Sequence, residues 1–251
     1  TVFSPDDLIV VKGGPGDRRR FMDDTLVALA TKYDAIRLEI DRIVKQRNTL
    51  LKQAQKLGGR AELPVEFAVS LDVWDAKFTE IADQFGYARA TLVARITPMV
   101  QEAYEQLAGV STPIELRYEP EWRRVGMLAA LREARADDVR RGVSTVGPHR
   151  DELELRINGL ASRTHASQGE QRTLALALRL AGHRLVTERT GSAPVLVLDD
   201  VLSELDDGRA RALLGHLPDG QVVITTASEL PPDARADRVL RIEHGAVAAH
   251  S

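Results

Sequence analysis

The segment 166-ASQGEQRTLALALRLAGHRL-185 is followed, after a short polar break, by 193-APVLVLDDVLSELD-206. In the first half, Ser167-Gln168-Gly169-Glu170 is a turn that opens a helix. Leu174, Leu178, Ala181 and Leu185 then recur at helical spacing, with Gly182 near the end. Ser167 suits the N-cap, and Gly169 lets a ligand approach the backbone. The exposed N–H groups and the positive end of the helix dipole favour an anion. In the second half, Val195-Leu196-Val197-Leu198 is too short for a helix and is bounded by Pro194 and acid, so it reads as a strand buried on both faces. It ends on Asp199-Asp200. Paired carboxylates at a buried strand's exit are costly unless they hold a cation or a water, and the carboxyl end of a parallel strand is where α/β proteins place ligands.

Each half alone has an ordinary reading, a helix cap in one case and a solvated loop in the other. Their conjunction is more specific. The apolar strand ending in Asp-Asp is the Walker B pattern, and Ser203-Glu204-Leu205-Asp206 follows it at once. The order of signature turn, helix, strand, Asp-Asp and Ser-x-Leu-Asp resembles the ATP-binding-cassette ATPases, including their D-loop.

The rest of the composition sets limits. With 251 residues, 43% of them hydrophobic, the chain can bury one large core or two modest ones. The absence of cysteine excludes disulfides and thiolate metal sites and fits a reducing, cytoplasmic setting. No apolar run approaches the roughly eighteen residues of a membrane span, and no leader pattern opens the chain, so no membrane association is expected. A net charge of −3 gives no global attraction to nucleic acid, so any such contact needs a local basic face.

The opening, TVFSPDDLIVVK, begins in mid-pattern as if a strand had been cut. Gly13-Gly14-Pro15-Gly16 is a turn and not a phosphate loop, because nowhere does Gly-Lys precede Ser or Thr. The nucleotide's principal cradle, Walker A, is therefore missing. From residue 21 the period changes. Leu26, Leu29, Tyr33, Ile36, Ile40, Ile43 and Leu50 form a heptad seam, with Arg47 its one polar member, and predict a long helix ended by Leu57-Gly58-Gly59. Leu71, Trp74, Phe78, Ile81, Phe85, Ala88 and Leu92 repeat the spacing, and Ile96, Met99, Ala103 and Leu107 continue it past a kink expected at Pro98. An antiparallel helical hairpin follows, its aromatic stripe serving as core. Between residues 37 and 60 seven basic residues stand against the acids Glu39 and Asp41. The face carrying Arg42, Lys45, Lys52 and Lys56 is either a solvated helix surface or a phosphate-tracking one. The segment from residue 191 onward is acidic by contrast, and should meet phosphate only through metal.

Further on, residues 114–118 alternate as a strand and Glu121 to Arg141 reads as one helix. The sequence GPHRDE at 147–152 leads into a strand over 152–157 and the hairpin turn Asn158-Gly159. His149, Arg150 and Asp151 form either a local hydrogen-bonded turn or a phosphate or DNA contact.

At this point the resemblance narrows. FSPDDL, GGPGDRRRFMDDTL, GPHRDE, SQGEQRTLALALRLA and VLVLDDVLSELD, in this order across essentially the whole chain, resemble RecF, the bacterial DNA replication and repair ATPase of gap recombination. Two departures stand out, the missing amino-terminal Walker A part and Glu152 in place of a second Asp. The resemblance implies an α/β fold, specifically the carboxyl-terminal lobe of an ABC-type ATPase with an inserted antiparallel, coiled-coil-like arm. Residues 1–20 would end the amino-terminal lobe, 21–110 would form the arm, and 111–251 would carry signature, Walker B and D-loop. It also implies ATP and Mg²⁺ as cofactors, with Asp199 as metal ligand and Asp200 as the acid that orients or deprotonates the attacking water. Ser167, Gln168, Gly169 and Glu170 would close on the γ-phosphate held by a second subunit, in an ATP-dependent homodimer with Asp206 at the same interface. Thr225-Thr226 stand where many cassette ATPases have a switch histidine, and His216 and His244 are poor substitutes by position. Gapped single-strand/double-strand DNA, RecR and RecO are the implied partners. This chain alone is expected to be inactive, as the arm and carboxyl-terminal lobe of a longer ATPase truncated at its amino end. Another SMC-like cassette ATPase, or a non-catalytic interaction module, are the alternatives.

Overall fold

The computed structural model describes residues 1–56, 64–227, 230–231, 234–243 and 246–247. The chain opens with β1 (Val2–Phe3), α1 (Ile9–Lys12), α2 (Pro15–Leu29), α3 (Lys32–Lys56) and α4 (Val65–Ala108). Next come β2 (Ile114–Arg117), α5 (Glu121–Val125), α6 (Met127–Arg141), β3 (Glu154–Ile157), β4 (Leu160–Ala161), α7 (Ser162–His165) and α8 (Gln168–Thr190). The last part holds β5 (Leu196–Asp199), α9 (Asp207–Gly215), β6 (Val222–Thr225), β7 (Ile242–Glu243) and β8 (Ala246–Val247).

Three strands from distant parts of the sequence form a parallel sheet in the order β1-β5-β6, with Phe3 beside Leu198 and Asp199 beside Thr225. Leu196 and Leu198 are fully buried in the same core as Leu174, Ala177, Leu178, Ala181 and Leu185 of α8. The seam that α8 presents is thus spent on the sheet and on α4, the helix it packs along most extensively. The other sheet face differs from the sequence expectation. Val2, Val197 and Val223 lie in one row across it, and Val2, Val195 and Val223 are exposed by 60%, 44% and 41%. Among the described residues helices cover one face of this sheet, so β5 is not buried on both. A second sheet, antiparallel β2-β3-β4, pairs Ile114 with Ile157 and turns through Asn158 and Gly159, both at positive φ.

The helical hairpin forms, with changes. Arg47 bonds Asp75, and Leu51 and Ala54 cluster with Leu71, so partners fall in number along α4 as they rise along α3, which is antiparallel pairing. Phe78 and Phe85 are buried core and Trp74 packs against it. The predicted single seam helix is in fact α2 and α3, broken where Ala30 turns extended and its N–H closes on the Leu26 carbonyl. α2 also runs straight through position 20. The second helix continues past Pro98 as expected, as the single helix α4. Glu121 to Arg141 is likewise two helices, because Gly126 sits at φ 92°, in the region that favours glycine. The predicted stop at Leu57-Gly58-Gly59 lies outside the described residues.

The arm is also not a two-helix coil. α6 packs on both α3 and α4, and Arg47, the polar seam residue, is fully buried among them. Its guanidinium donates to Asp75 of α4 (2.7 Å), to Asp138 of α6 (2.6 Å) and to Ser144 (2.8 Å). Arg135 donates to the other Asp75 oxygen, and Thr145 caps the second Asp138 oxygen through its N–H and hydroxyl. Arg47 thus lies buried at its seam position, and of the seven basic residues counted over 37–60 it adds no charge to the exposed face.

Candidate functional site

Three groups of residues matter, each positioned by a different local device. The first is the signature turn. Ser167 is the N-cap of α8, and a capping box closes there: Ser167 Oγ accepts the Glu170 N–H, while Glu170 Oε2 accepts the Ser167 N–H and hydroxyl, both at 2.7 Å. Those donors hold the Glu170 carboxyl below its usual range. The N–H groups of Gln168 and Gly169, in the first turn of α8, have no carbonyl of their own helix to bond.

The second group is the D-loop. Asp206 caps α9 by accepting the Arg209 N–H at 2.9 Å and also binds the Arg209 guanidinium at 2.5 Å. The backbone N–H of Arg209 is the main reason the Asp206 carboxyl lies below its ordinary value. That same guanidinium lies over Gly169, where a Cβ would meet Arg209 Nη1 at 3.0 Å. Signature turn and D-loop are thereby one assembly, reinforced by the ion pair of Arg172 with Glu204. Sequence reading missed Arg172 and Arg209; the Asp-x-x-Arg spacing at 206–209 was the one available signal for the latter.

The third group is the pair of acids at the carboxyl end of β5. Thr225 of the neighbouring strand donates its hydroxyl to Asp199 Oδ1, and its carbonyl accepts the Asp200 N–H at 3.0 Å. Thr225 thus orients both acids. Asp200 takes φ 50°, a left-handed conformation that Asp and Asn tolerate best among side-chain-bearing residues, and Ser203 Oγ donates to its carbonyl at 2.8 Å. Asp200 Oδ1 is buried with no hydrogen-bond partner among the described residues. A buried orphan acceptor is costly, and a bound water or cation would relieve it.

These groups suit half of a nucleotide site. Among the described residues no cluster of three or more His, Asp or Glu could hold a metal unaided. Mg²⁺ is ordinarily held by one or two carboxylates together with substrate phosphates, and Asp199 with its second oxygen unused by Thr225 fits that role. His216 bonds the Ala212 carbonyl within α9, and His244 lies outside the described residues. Arg42, Lys45, Lys52 and Lys56 are all exposed on α3, with Arg42 3.6 Å from Glu39.

The GPHRDE segment is a buried structural node. Asp151 accepts from Tyr118 (2.5 Å), Trp122 (2.7 Å) and Arg89 (3.3 Å), and Arg89 also clamps Asp23 with two bonds of 2.9 Å. Glu152 receives Arg18 in bidentate fashion, at 2.7 and 3.0 Å, so the acid that departs from the family pattern keeps an ion pair with the RRRF stretch. Gly147 is at φ 125°, and a Cβ there would meet Phe78 at 2.6 Å. Of the two readings left open for His149, Arg150 and Asp151, these contacts fit the hydrogen-bonded turn, with Arg150 Nε also donating to the Ser144 carbonyl at 3.1 Å.

His149 gives a pH dependence. Its Nε2 faces the Ser144 carbonyl at 3.1 Å, and burial pushes its pKa down from 6.5 to about 4. A depressed folded-state value means stability that is full above about pH 6.5 and is lost as the pH falls through about 4. Asp23 and Asp151, raised chiefly by burial, shift stability the opposite way as carboxylates protonate, so a comparison of variants is needed. His149→Gln should remove about 1–3 kcal/mol of the acid-linked loss, read from denaturant midpoints at pH 7 and pH 4. Parallel pH profiles for the two proteins would refute it.

No family model matches the chain. The DNA replication and repair protein RecF of Streptomyces avermitilis is 40% identical over 239 residues, covering 90% of this chain and 63% of that protein. The RecF of Acidothermus cellulolyticus is 36% identical over 249 residues, covering 94% and 66%. Among solved structures, the recombination mediator protein RecF of the RecFOR pathway, in its RecF-ATP form, is 28% identical with a TM-score of 0.81, covering all of this chain and 67% of that one. The chain therefore spans just under two thirds of the length of the curated relatives it matches.

Proposed function

Given that this chain is a homologue of RecF proteins over about two thirds of their length, we propose that it is the arm and carboxyl-terminal ATPase portion of a DNA replication and repair ATPase. The observation that carries the reading is the packing of Gly169 under Arg209, which joins signature turn to D-loop in one surface. In this proposal Asp199 holds Mg²⁺ and Asp200 orients or deprotonates the attacking water. The N–H groups of Gln168 and Gly169, with Ser167 and Glu170, receive phosphate oxygens of a nucleotide whose Walker A cradle lies on a second subunit, and Asp206 lines that contact. Bound Mg²⁺·ATP would supply the electrophilic phosphorus and the metal charge. The apolar row Val2, Val197 and Val223 supports a further layer packing on the bare sheet face, as parallel sheets require. Recombinational repair of gapped DNA, replication restart, the SOS response, RecO and RecR as partners and a cytoplasmic location belong to the same proposal. So does the division at 110/111, whereas the expected division at 20/21 falls inside α2 and is not kept.

The test is Ser167→Arg in a protein that also carries the Walker A part. The bulky cation would fill the anion site beside Arg209 while leaving Walker A untouched. ATP binding should persist, and ATP-dependent dimerisation measured by light scattering should weaken at least about tenfold. Normal dimerisation would remove the signature assignment.

DNA binding is assigned to Arg42, Lys45, Lys52 and Lys56, through the phosphate backbone without base readout. Changing Lys45, Lys52 and Lys56 together to Glu should weaken duplex binding and reduce the log–log salt slope by roughly 0.9 for each phosphate that is no longer neutralised. An unchanged slope would return this face to a solvated helix surface.

A further inference from the structure

On the side of the arm where α2, α3 and α4 meet the Pro148-His149 turn, there is an open polar cavity of about 350 Å³. Four guanidinium groups line it, from Arg19 and Arg20 of α2, Arg37 of α3 and Arg89 of α4, against the two carboxylates Asp23 and Asp41. These charges are not balanced alike. Arg89 is neutralised by Asp23 and Asp151, and Arg37 by Asp34 at 2.7 Å. Among the described residues, Arg19 donates only to the Asp151 backbone carbonyl (2.8 Å), and Arg20 makes no hydrogen bond or ion pair. Burial, and next the charge of Arg89, pull the Arg19 guanidinium below its usual range. Glu152, Asp151 and Asp23 offset part of that crowding from a distance, but neither Arg19 nor Arg20 has a direct ion pair among the described residues, so both keep donors for a bound anion. Forked guanidinium donors match phosphate oxygens in particular.

We propose that this cavity is a phosphate pocket that receives a terminal phosphate monoester, with Arg19 and Arg20 as its principal donors and Arg37 at its rim. A recess ringed by three helices and a turn admits the end of a ligand, whereas a continuous backbone follows an open face such as the one carrying Lys45 and Lys52. The pocket goes beyond the proposed ATP half-site and shares no residue with Ser167–Glu170, Asp199, Asp200 or Asp206. The monoester can come from a free mononucleotide or from the 5′ end of a nucleic-acid strand.

The 251-residue chain is titrated by fluorescence anisotropy at low salt with a 5′-phosphorylated duplex and its 5′-hydroxyl twin, with AMP as competitor. A preference for the phosphorylated end, or binding of AMP, is expected. Either should fall at least about tenfold in Arg19→Ala/Arg20→Ala and in the exposed single variant Arg20→Glu, which threatens folding least. The result should be spared by Arg132→Glu, an exposed change of equal charge outside the cavity. Competition by AMP assigns the pocket to a free nucleotide, and a phosphate preference that AMP does not compete assigns it to a strand end. No preference together with no AMP binding overturns the proposal, as does an equal loss in Arg132→Glu. A failure of ATP-dependent dimerisation would leave this measurement unaffected, so the two readings fail separately.

Discussion

Arg47→Met is expected to destabilise the protein by about 3–5 kcal/mol, the usual cost of leaving buried charges without their partner. Arg47, Asp75 and Asp138 are all fully buried, and among the described residues the guanidinium is the one group that touches both carboxylates. Asp75 would keep Arg135, and Asp138 would keep Thr145, so the chain should still fold with the arm loosened first. Denaturant unfolding should show the lower midpoint. Hydrogen exchange should show early loss of protection in α3 after residue 43 and in the first turns of α4, where the described residues leave the small cluster of Leu51, Ala54, Leu71 and Val139 with Leu50 and Phe67 packed on it. A loss below about 1 kcal/mol would show that the network is not what holds α6 to the hairpin.

In a protein joining this chain to a Walker A part, Asp200→Asn should keep ATP binding and slow hydrolysis at least about 10²-fold. The substitution is chosen on structural grounds. Asn tolerates the left-handed backbone at φ 50°, so the turn and its bonds from Asp200 N–H to Thr225 survive. Asp199 and the Thr225 hydroxyl on it remain in place, and only the carboxylate whose buried Oδ1 lacks a partner changes character. Single-turnover hydrolysis at saturating ATP is the measurement. A rate within a few-fold of the parent would take the water-handling role away from Asp200.

What could be read along the chain was set by interactions within one or two helical turns or one strand. The Ser167–Glu170 capping box is an i,i+3 device, and Leu174, Leu178, Ala181 and Leu185 repeat at the helical period, so α8 and its capped N-terminus were visible in the sequence. The same holds for β5, its terminal acid pair, the strand before Asn158-Gly159 and the periodicity of α3 and α4. Breaks at Ala30 and Gly126 escaped because a seam of apolar residues keeps its phase across a short interruption. Only the tertiary structure decided the roles of the polar residues. Arg47 meets Asp138 across 91 positions, Arg18 meets Glu152 across 134, and Thr225 reaches Asp199 from a neighbouring strand. The seam position of Arg47 signalled burial, but nothing local named the partners that any of these residues would meet. The distinction comes from desolvation, which makes an unpaired buried charge so costly that the fold brings its partner in from wherever the chain supplies one.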